Sequence, residues 1–270
     1  MNNVWYAIGL TVFAGLSTGI GGLIVMFMKG KSTKFLSISL GFSAGVMIYV
    51  SFGELLTESR TMLSHVVGDE KSAFYSVAAF FGGIFLTAII DKLVPDYENP
   101  HETHSILEMD QCEIPQTADH HRLMRTGLLT AIVIAVHNFP EGMATFIAAV
   151  QTPSLGLVIA IAIAIHNIPE GISVAVPVYC ATGSKRKAFG WALLSGLGEP
   201  LGAILAYFIL LPFLNDAIFG VLFGIIAGIM VYISFDELLP SAREYGEHHL
   251  TIYGLISGMM VMAASLLILG

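Results

Sequence analysis

The apolar stretches of this chain constrain its fold more than any other feature. Eight of them meet the length of about 20 apolar residues that a membrane-spanning helix needs. Only 12% of the residues are charged, about half the fraction found in soluble domains. The sequence therefore predicts an all-α polytopic membrane protein, with residues 1–270 forming a single transmembrane domain. The predicted spans, numbered 1 to 8 in chain order, cover about 5–28, 35–53, 72–90, 126–150, 155–182, 188–212, 217–235 and 250–270.

Lysine and arginine residues indicate how these spans are oriented, because basic residues concentrate in cytoplasmic loops. If the N-terminus is outside, the outer loops hold only Arg60 and Lys71. This division predicts that both termini lie outside, since an even number of spans returns the chain to its starting side. The inner loops then hold the remaining basic residues, which are Lys29, Lys31, Lys34, Lys92, Arg122, Arg125, Lys185, Arg186, Lys187 and Arg243.

Two pairs of segments repeat each other. Residues 44–56, "AGVMIYVSFGELL", and residues 227–239, "AGIMVYISFDELL", are identical at nine of 13 positions and lie in spans 2 and 7. Residues 135–146, "AVHNFPEGMATF", and residues 164–175, "AIHNIPEGISVA", relate spans 4 and 5. Both pairs join spans that a serpentine chain runs in opposite directions. The chain is therefore predicted to be a 3+2+3 inverted-repeat bundle, an arrangement typical of secondary transporters that bind cargo near the midplane.

The segment between spans 3 and 4, residues 94–124, is rich in carboxylates and histidines. The charge division places it in the cytoplasm, and its histidines are His101, His104, His120 and His121. Two interpretations stay open. The segment is either a solvated acidic linker or a weak metal-collecting loop, since histidines beside carboxylates bind transition metals.

Three glutamates lie well inside the predicted spans, and each is next to a proline. They are Glu141 in span 4, Glu170 in span 5 and Glu199 in span 6. A charged side chain at this depth costs at least about 2.5 kcal/mol on insertion scales and is a functional candidate by default. Three carboxylates at a similar depth therefore predict a site within the membrane.

Glu141 and Glu170 each share a helix face with the two polar residues that precede them by four and three positions. Pro140 and Pro169 each remove a backbone hydrogen bond in the same turn and expose a carbonyl. Imidazole, carboxylate and amide groups at one level suit first-row divalent metals better than magnesium or calcium. The polar residues on these faces are His137, Asn138, His166 and Asn167.

The charge of this cluster predicts how it responds to metal and to protons. Three ionised glutamates without a counter-ion are destabilised in a low-dielectric bundle. Two divalent cations would bring +4 against the −3 of the three glutamates. A paired metal site with bridging carboxylates is therefore electrostatically feasible, and protons are expected to compete with metal.

Structural interpretations compete with a metal site. A single intramembrane His-Asn pair is often only a hydrogen-bonding contact between helices, but a duplicated pair beside a third glutamate favours ligands. The His-Glu-x-x-His pattern of metalloproteases is absent, because asparagine follows each histidine. Glycines in the spans are expected to allow close helix packing, among them Gly19, Gly21, Gly22, Gly82 and Gly83.

The repeat also places acidic side chains at matching ends of two spans. Glu54 and Glu58 are predicted to end span 2 at the outer surface, and Asp236 and Glu237 to end span 7 at the inner surface. They are either pathway residues that concentrate cations or ordinary interfacial charges. Met47 of span 2 offers a thioether as a soft ligand, although filling the core is the commoner role of methionine.

The motifs "HNFPEG" in span 4, "HNIPEG" in span 5 and "SGLGEPLGA" in span 6 resemble those of the ZIP (ZRT/IRT-like) metal transporter family. The duplicated form looks most like the bacterial ZupT-type branch, and the likeness covers nearly the whole chain. The resemblance implies uptake of zinc toward the cytoplasm, with iron, manganese, cobalt and cadmium as further cargo. It also implies an elevator-like motion, in which spans 1, 4, 5 and 6 carry the metal against spans 2, 3, 7 and 8.

Carried over position by position, the resemblance implies a set of ligands for each of two metals. The first metal would be bound by His137, Glu141, His166 and Glu170, with Met47 as a further candidate. The second would be bound by Asn138, Glu141, Asn167, Glu170 and Glu199, so that Glu141 and Glu170 bridge the two ions. Some relatives have glutamine and aspartate in place of His166 and Asn167. The second site here therefore has one carboxylate fewer, which favours broader specificity.

Other functions compete with a metal importer. A gated channel would pass metal rapidly without saturating, and an exporter would move it outward. An intramembrane metalloenzyme would need a water-activating base and a substrate cleft, and the sequence indicates neither. The leading prediction is a multi-pass transporter of the bacterial plasma (inner) membrane that is not an enzyme. Divalent metal ions and the lipid bilayer are its expected partners, a homodimer is left open, and neither a resident cofactor nor a nucleic-acid partner is expected.

Overall fold

The computed structural model of the protein describes residues 2–27, 33–93, 120–210, 213, 215–245 and 248–269, and within these ranges it contains helices and no strands. The predicted all-α membrane fold is confirmed. Most of the segment predicted as a cytoplasmic loop, 94–124, lies outside the described residues. The helices are α1 (Asn2–Phe27), α2 (Thr33–Val50), α3 (Leu56–Val67), α4 (Asp69–Leu93), α5 (His120–Gln151), α6 (Pro153–Thr182), α7 (Lys185–Gly196), α8 (Gly198–Leu205), α9 (Asp216–Ile233), α10 (Leu239–Tyr245) and α11 (His248–Leu269).

Seven helical segments in the described part of the chain are long and apolar enough to cross a membrane. They correspond to the predicted spans 1, 2, 3, 5, 6, 7 and 8. Span 4 corresponds to α5, which is 32 residues long and contains Pro140 in its interior. Span 6 is divided into α7 and α8 by a break at Leu197.

Three π-helical turns interrupt the described helices. Ser51–Leu55 joins α2 to α3, Ala206–Leu210 follows α8, and Ser234–Leu238 joins α9 to α10. The first and third lie at matching positions of the internal repeat. In each of these two, the first serine donates a 2.7 Å hydrogen bond to the carbonyl four residues earlier. The helices of spans 2 and 7 continue through these turns to Val67 and Tyr245, well beyond the apolar stretches predicted to end at 53 and 235.

Tertiary packing explains why the helix of span 2 extends beyond its apolar residues. One face of α3 is buried although the helix is polar in sequence. Ser59 donates a 2.6 Å hydrogen bond to the carbonyl of Gly220 on α9, and Leu63 packs against the same glycine. In proteins a helix is stabilised more by burying one face than by its intrinsic propensity. The contact with α9 thus stabilises a helix in a stretch whose hydropathy predicts no membrane span.

The helices form two groups that pack more closely within each group than between them. The first, called the ligand bundle, contains α1, α5, α6, α7 and α8, which are spans 1, 4, 5 and 6. The second, called the support bundle, contains α2, α3, α4, α9, α10 and α11, which are spans 2, 3, 7 and 8. The main contact between the bundles is made by α2 and α6.

Glycines allow the closest approaches between helices, and these approaches stay within one bundle. In the ligand bundle, a Cβ added to Gly21 would lie 2.2 Å from the carbonyl oxygen of Ile168. In the support bundle, a Cβ added to Gly45 would lie 2.1 Å from the carbonyl oxygen of Leu255. For the glycines of the described ranges, every such contact joins helices of the same bundle. Each bundle is therefore internally close-packed through glycine, whereas the interface between them is not.

Gly82 and Gly83 on α4 provide a matched test of this packing. A Cβ on Gly83 would lie 2.1 Å from the carbonyl oxygen of Ile225, whereas a Cβ on Gly82 meets nothing within 4 Å. The expectation of close packing is wrong for Gly82, which faces away from the support bundle. We expect Gly83→Ala to destabilise the protein by about 1–3 kcal/mol through overpacking. Gly82→Ala should instead stabilise it by up to about 1 kcal/mol, because alanine is the better helix former.

Thermal unfolding of the detergent-solubilised variants measures both effects. The two substitutions should move the unfolding temperature in opposite directions from wild type. A shift of the same sign in both would contradict the contact between Gly83 and Ile225.

Candidate metal centre

The seven polar residues predicted from the two motifs and span 6 are all buried inside the ligand bundle. His137 is 5% exposed and the other six are 2% exposed or less. Pro140 and Pro169 lie inside α5 and α6, so each helix continues through its motif. The residues lie on three helices: His137, Asn138 and Glu141 on α5, His166, Asn167 and Glu170 on α6, and Glu199 at the start of α8.

Glycines bring Glu199 against the motif of α5. A Cβ added to Gly142 would lie 2.0 Å from the carbonyl oxygen of Glu199, and one added to Gly198 would lie 2.1 Å from that of Ala135. The break at Leu197 begins a new helix one residue before Glu199. Local sequence therefore positions this glutamate, because only glycine permits the backbones of α5 and α8 to come this close.

One half of the cluster, called the histidine half, contains the two imidazoles. Nε2 of His137 lies 2.9 Å from Oε1 of Glu141 and 3.7 Å from Oε1 of Glu170. Nε2 of His166 lies 3.1 Å from the same Oε1 of Glu141. One ligand atom from each of His137, His166 and Glu170 fits within a mutual distance of 4.8 Å. Ligands about 2 Å from one zinc ion lie within about 4 Å of one another, so a small inward movement would let this group surround a cation.

Several atoms of the histidine half have no hydrogen-bond partner among the described residues. They include Oε2 of Glu141, both carboxylate oxygens of Glu170 and Nδ1 of each histidine. Nε2 of His137 also lacks one, because its short contact with Glu141 does not have hydrogen-bond geometry. A buried polar atom without a partner costs about 1–3 kcal/mol, more when it is charged. A divalent cation would satisfy several of these atoms at once.

The other half, called the amide half, contains Asn138, Asn167 and Glu199. Nδ2 of Asn138 donates a 3.3 Å hydrogen bond to the carbonyl of Ser195. Nδ2 of Asn167 donates a 3.1 Å bond to the carbonyl of Ala14 and a second bond to Oε1 of Glu199. The amide oxygens of both asparagines and Oε2 of Glu199 have no hydrogen-bond partner in the described part of the chain. The amide half therefore presents oxygen atoms only.

The hydrogen bonds of the two asparagines agree with both the structural and the ligand interpretation of these residues. Each amide nitrogen makes the helix-to-helix contact that the structural interpretation predicted. Each amide oxygen is left without a partner, as the ligand interpretation requires. The nitrogen contact fixes the side chain so that its oxygen is oriented for a second role.

Met47 is completely buried on α2, the helix that makes the main contact between the two bundles. Ser43, one helical turn earlier on the same face, donates a 3.3 Å hydrogen bond to the carbonyl of His166. Met47 also packs with the apolar core. Its place on the helix that contacts α6 fits both interpretations, and its role as a ligand stays a prediction.

The four acidic residues assigned to the ends of spans 2 and 7 do not end helices. Glu54 and Glu237 occupy the same place in the two matching π turns, and the helices continue past them. Glu237 lies close enough to His137 and Glu170 to interact with them electrostatically. Glu54 interacts in the same way with Glu58, and both are partly buried. Glu54, Glu58, Asp236 and Glu237 therefore lie along their helices rather than at the ends, and their role in a pathway stays a prediction.

Sequence reasoning missed several groups that contact the site. The carbonyls of Ala14 and Ser195 accept from the asparagines, and Ser43 contacts the backbone of His166. Backbone acceptors carry no signal in a sequence, and a serine in an apolar helix has many uses. Only the packing of helices distant in sequence identifies them.

The similarity of this chain to known proteins supports the same kind of site as the geometry does. A family model described as ZIP Zinc transporter matches residues 2–114 and 97–266. A zinc transporter ZupT of Nitratidesulfovibrio vulgaris is 57% identical over 98% of both chains, and one of Streptococcus mutans is 57% identical over 96% of both. Another, of Oceanobacillus iheyensis, is 54% identical over the full length of both chains.

Proposed function

This chain belongs to the ZIP zinc transporter family, and from that premise we propose that it imports zinc into the cytoplasm through a two-ion site in the ligand bundle. The family consists of transporters rather than enzymes, so the chain is a multi-pass divalent-metal transporter of the bacterial inner membrane. The observation that carries the proposal is the buried cluster of His137, His166 and Glu170, whose ligand atoms come within 4.8 Å of one another.

The two halves of the cluster supply different ligands to the two ions. In the histidine half, two imidazoles and two carboxylates form a nitrogen and oxygen set that suits zinc. In the amide half, Asn138, Asn167 and Glu199 supply oxygen, while Glu141 and Glu170 bridge the two ions. Five of the six carboxylate oxygens of these three glutamates are either unpartnered or in contact with histidine in the described structure. The cluster thus offers several oxygen atoms that lack hydrogen-bond donors, which favours cations.

We expect broad specificity among divalent transition metals, so that iron, manganese, cobalt and cadmium are also carried. Nitrogen ligands in one half and oxygen ligands in the other accommodate cations of different softness. Asn167 also gives the amide half one carboxylate fewer than an aspartate would.

Alternating access by movement of one bundle against the other is supported by the packing. Glycine contacts hold the helices of each bundle close together, and none of those in the described ranges crosses the interface. The pairing of helices also has the symmetry that a 3+2+3 inverted repeat requires, because α1 packs on α6 as α8 packs on α5, and α2 packs on α11 as α9 packs on α4. An elevator-like movement of the ligand bundle would expose its buried cluster to one side of the membrane and then to the other.

Zinc uptake into reconstituted vesicles tests the function directly. Uptake of radiolabelled zinc should exceed that of protein-free vesicles and should saturate as external zinc is raised. A gated channel is the alternative, and it would give rapid flux that does not saturate over the same range. Vesicles that accumulate no zinc above the protein-free background would contradict the proposal.

Zinc affinity is expected to fall between about pH 8 and pH 5, by at least about tenfold. Histidine and carboxylate ligands must be deprotonated to bind a metal, so protons and zinc compete for the same atoms. The histidine half contains two imidazoles, and an imidazole ordinarily titrates within this range. Equilibrium zinc binding to the purified protein measures the effect, and an affinity unchanged across the range would contradict it.

A further inference from the structure

Thr18 of α1 is completely buried, and its hydroxyl has no hydrogen-bond partner among the described residues. A serine or threonine inside a helix usually bonds to a carbonyl three or four residues earlier. Two neighbours on the same helix follow this rule. The hydroxyl of Thr11 donates to the carbonyl of Ile8 at 2.8 Å, and that of Ser17 donates to the carbonyl of Ala14 at 2.5 Å. Thr18 is therefore an exception that needs a local cause.

The two carbonyls within reach of Thr18 are both engaged. The carbonyl of Ala14, four residues earlier, already accepts from Ser17 and from the amide of Asn167 in addition to the backbone bond of the helix, so it has no lone pair left for a further donor. The carbonyl of Gly15, three residues earlier, packs against Gly196, where an added Cβ would lie only 2.1 Å from it. The amide half thus takes the acceptor that Thr18 would otherwise use, and the Thr18 hydroxyl remains available for another role.

Thr18 adjoins the amide half. Its hydroxyl oxygen lies 3.0 Å from the position of a Cβ on Gly196, the residue after Ser195. Its carbonyl packs against Gly171, one turn beyond Asn167 on α6. Ala14, which accepts from Asn167, lies one turn, or about 6 Å, from Thr18 on the same face of α1. Thr18 therefore lies where α1, α6 and α7 meet beside the two asparagines.

Four buried oxygen atoms without a hydrogen-bond partner in the described residues consequently belong to this part of the bundle, one from each of spans 1, 4, 5 and 6. They are Oγ1 of Thr18, Oδ1 of Asn138, Oδ1 of Asn167 and Oε2 of Glu199. No nitrogen or sulfur ligand accompanies them in the amide half as defined above. These oxygen atoms, together with the bridging carboxylates of Glu141 and Glu170, suit a harder cation such as manganese better than zinc, which prefers imidazole or thiolate.

We propose that Thr18 is a further residue of the transport site, whose hydroxyl completes the amide half and makes it selective for manganese over zinc. This inference rests on the proposed function, because it assigns a preference to one half of the proposed two-ion site. The histidine half keeps the preference for zinc. The two halves of one site thus differ in the cation that each prefers.

Replacement of Thr18 by valine removes the hydroxyl and keeps the shape of the side chain. Manganese binding to the purified protein is measured by electron paramagnetic resonance, and vesicle uptake of manganese and zinc is measured in parallel. Thr18→Val should lower manganese affinity about tenfold, within the range seen when a supporting group of a metal site is removed. Zinc affinity, measured by equilibrium binding to the same variant, should change by less than about twofold, because the histidine half is intact. Thr18→Ser, which restores a hydroxyl, should return manganese affinity to within about twofold of wild type.

Thr11→Val is the matched control, because Thr11 is equally buried on α1 but its hydroxyl already has a partner. It should leave the ratio of manganese to zinc uptake unchanged. Unchanged manganese affinity in Thr18→Val would overturn the proposal, as would an equal loss of manganese and zinc binding. If Thr18→Val does not fold, Thr18→Ala and Thr18→Ser give the same comparison. A wild-type protein that moves no zinc would contradict the proposed function, whereas the manganese titration would still decide the role of Thr18.

Discussion

Glu141→Ala is expected to lower zinc uptake into vesicles by at least about 100-fold, because this glutamate contacts both histidines and is proposed to bridge the two ions. A single oxygen, Oε1, lies 2.9 Å from Nε2 of His137 and 3.1 Å from Nε2 of His166. Its loss would remove a ligand and also the group that orients both imidazoles. Glu199→Ala is expected to lower uptake by about tenfold, since it belongs to the amide half alone.

An exposed glutamate provides the control for these two substitutions. Glu70 lies at the exposed start of α4, and Glu70→Ala should leave uptake unchanged. The measurement is the initial rate of radiolabelled zinc uptake, normalised to the amount of folded protein in the vesicles. Wild-type rates in both Glu141→Ala and Glu199→Ala would show that zinc does not pass through this cluster.

Joining the two bundles covalently is expected to stop transport. Gln151 on α5 donates a 3.4 Å hydrogen bond to the sulfur of Met62 on α3, which is a contact between the ligand bundle and the support bundle. In a protein with Cys112 and Cys180 replaced by serine, Met62→Cys and Gln151→Cys can be joined by a short, reducible thiol cross-linker. Uptake should fall at least about tenfold on cross-linking and return on reduction, because alternating access requires the bundles to move relative to each other.

A second cysteine pair inside one bundle is the matched control. Asn3 on α1 donates a 3.3 Å hydrogen bond to the carbonyl of Val150 on α5, and both helices belong to the ligand bundle. Cross-linking Asn3→Cys to Val150→Cys should leave uptake unchanged. If the pair between the bundles were cross-linked without loss of uptake, the bundles would not move at this contact and a channel would explain the flux better.

The helical membrane fold can be predicted from the sequence alone, because it depends on the hydropathy of continuous stretches of the chain. A run of about 20 apolar residues has few alternatives to a membrane helix, and the structure confirms this class of fold. The candidate ligands can also be predicted in part from continuous stretches of sequence, since each of the two His-Asn-x-Pro-Glu motifs places three polar residues on one face of its helix. The structure brings both motifs and Glu199 together in the ligand bundle. That these residues bind metal stays a prediction, which the uptake experiments decide.

The features that the sequence does not predict depend on contacts between distant helices. The continuation of span 2 to Val67 requires the packing of Ser59 and Leu63 on α9. The free hydroxyl of Thr18 requires Asn167, which is distant in sequence, to bond to Ala14. Neither helix contains a local pattern that distinguishes it from an ordinary apolar or amphipathic one. Packing of the bundle decides both, so a single sequence leaves them open.

The matching π turns bear on the history of the chain. A π turn contains one residue more than an α-helical turn. Both repeats contain one at the same place, Ser51–Leu55 and Ser234–Leu238, each with a serine bonded to a methionine carbonyl at 2.7 Å. Duplication of a smaller ancestral unit that already contained the extra residue accounts for both turns with one insertion, whereas separate origins would require two. The widened turn is then older than the full-length chain, and each half inherited it.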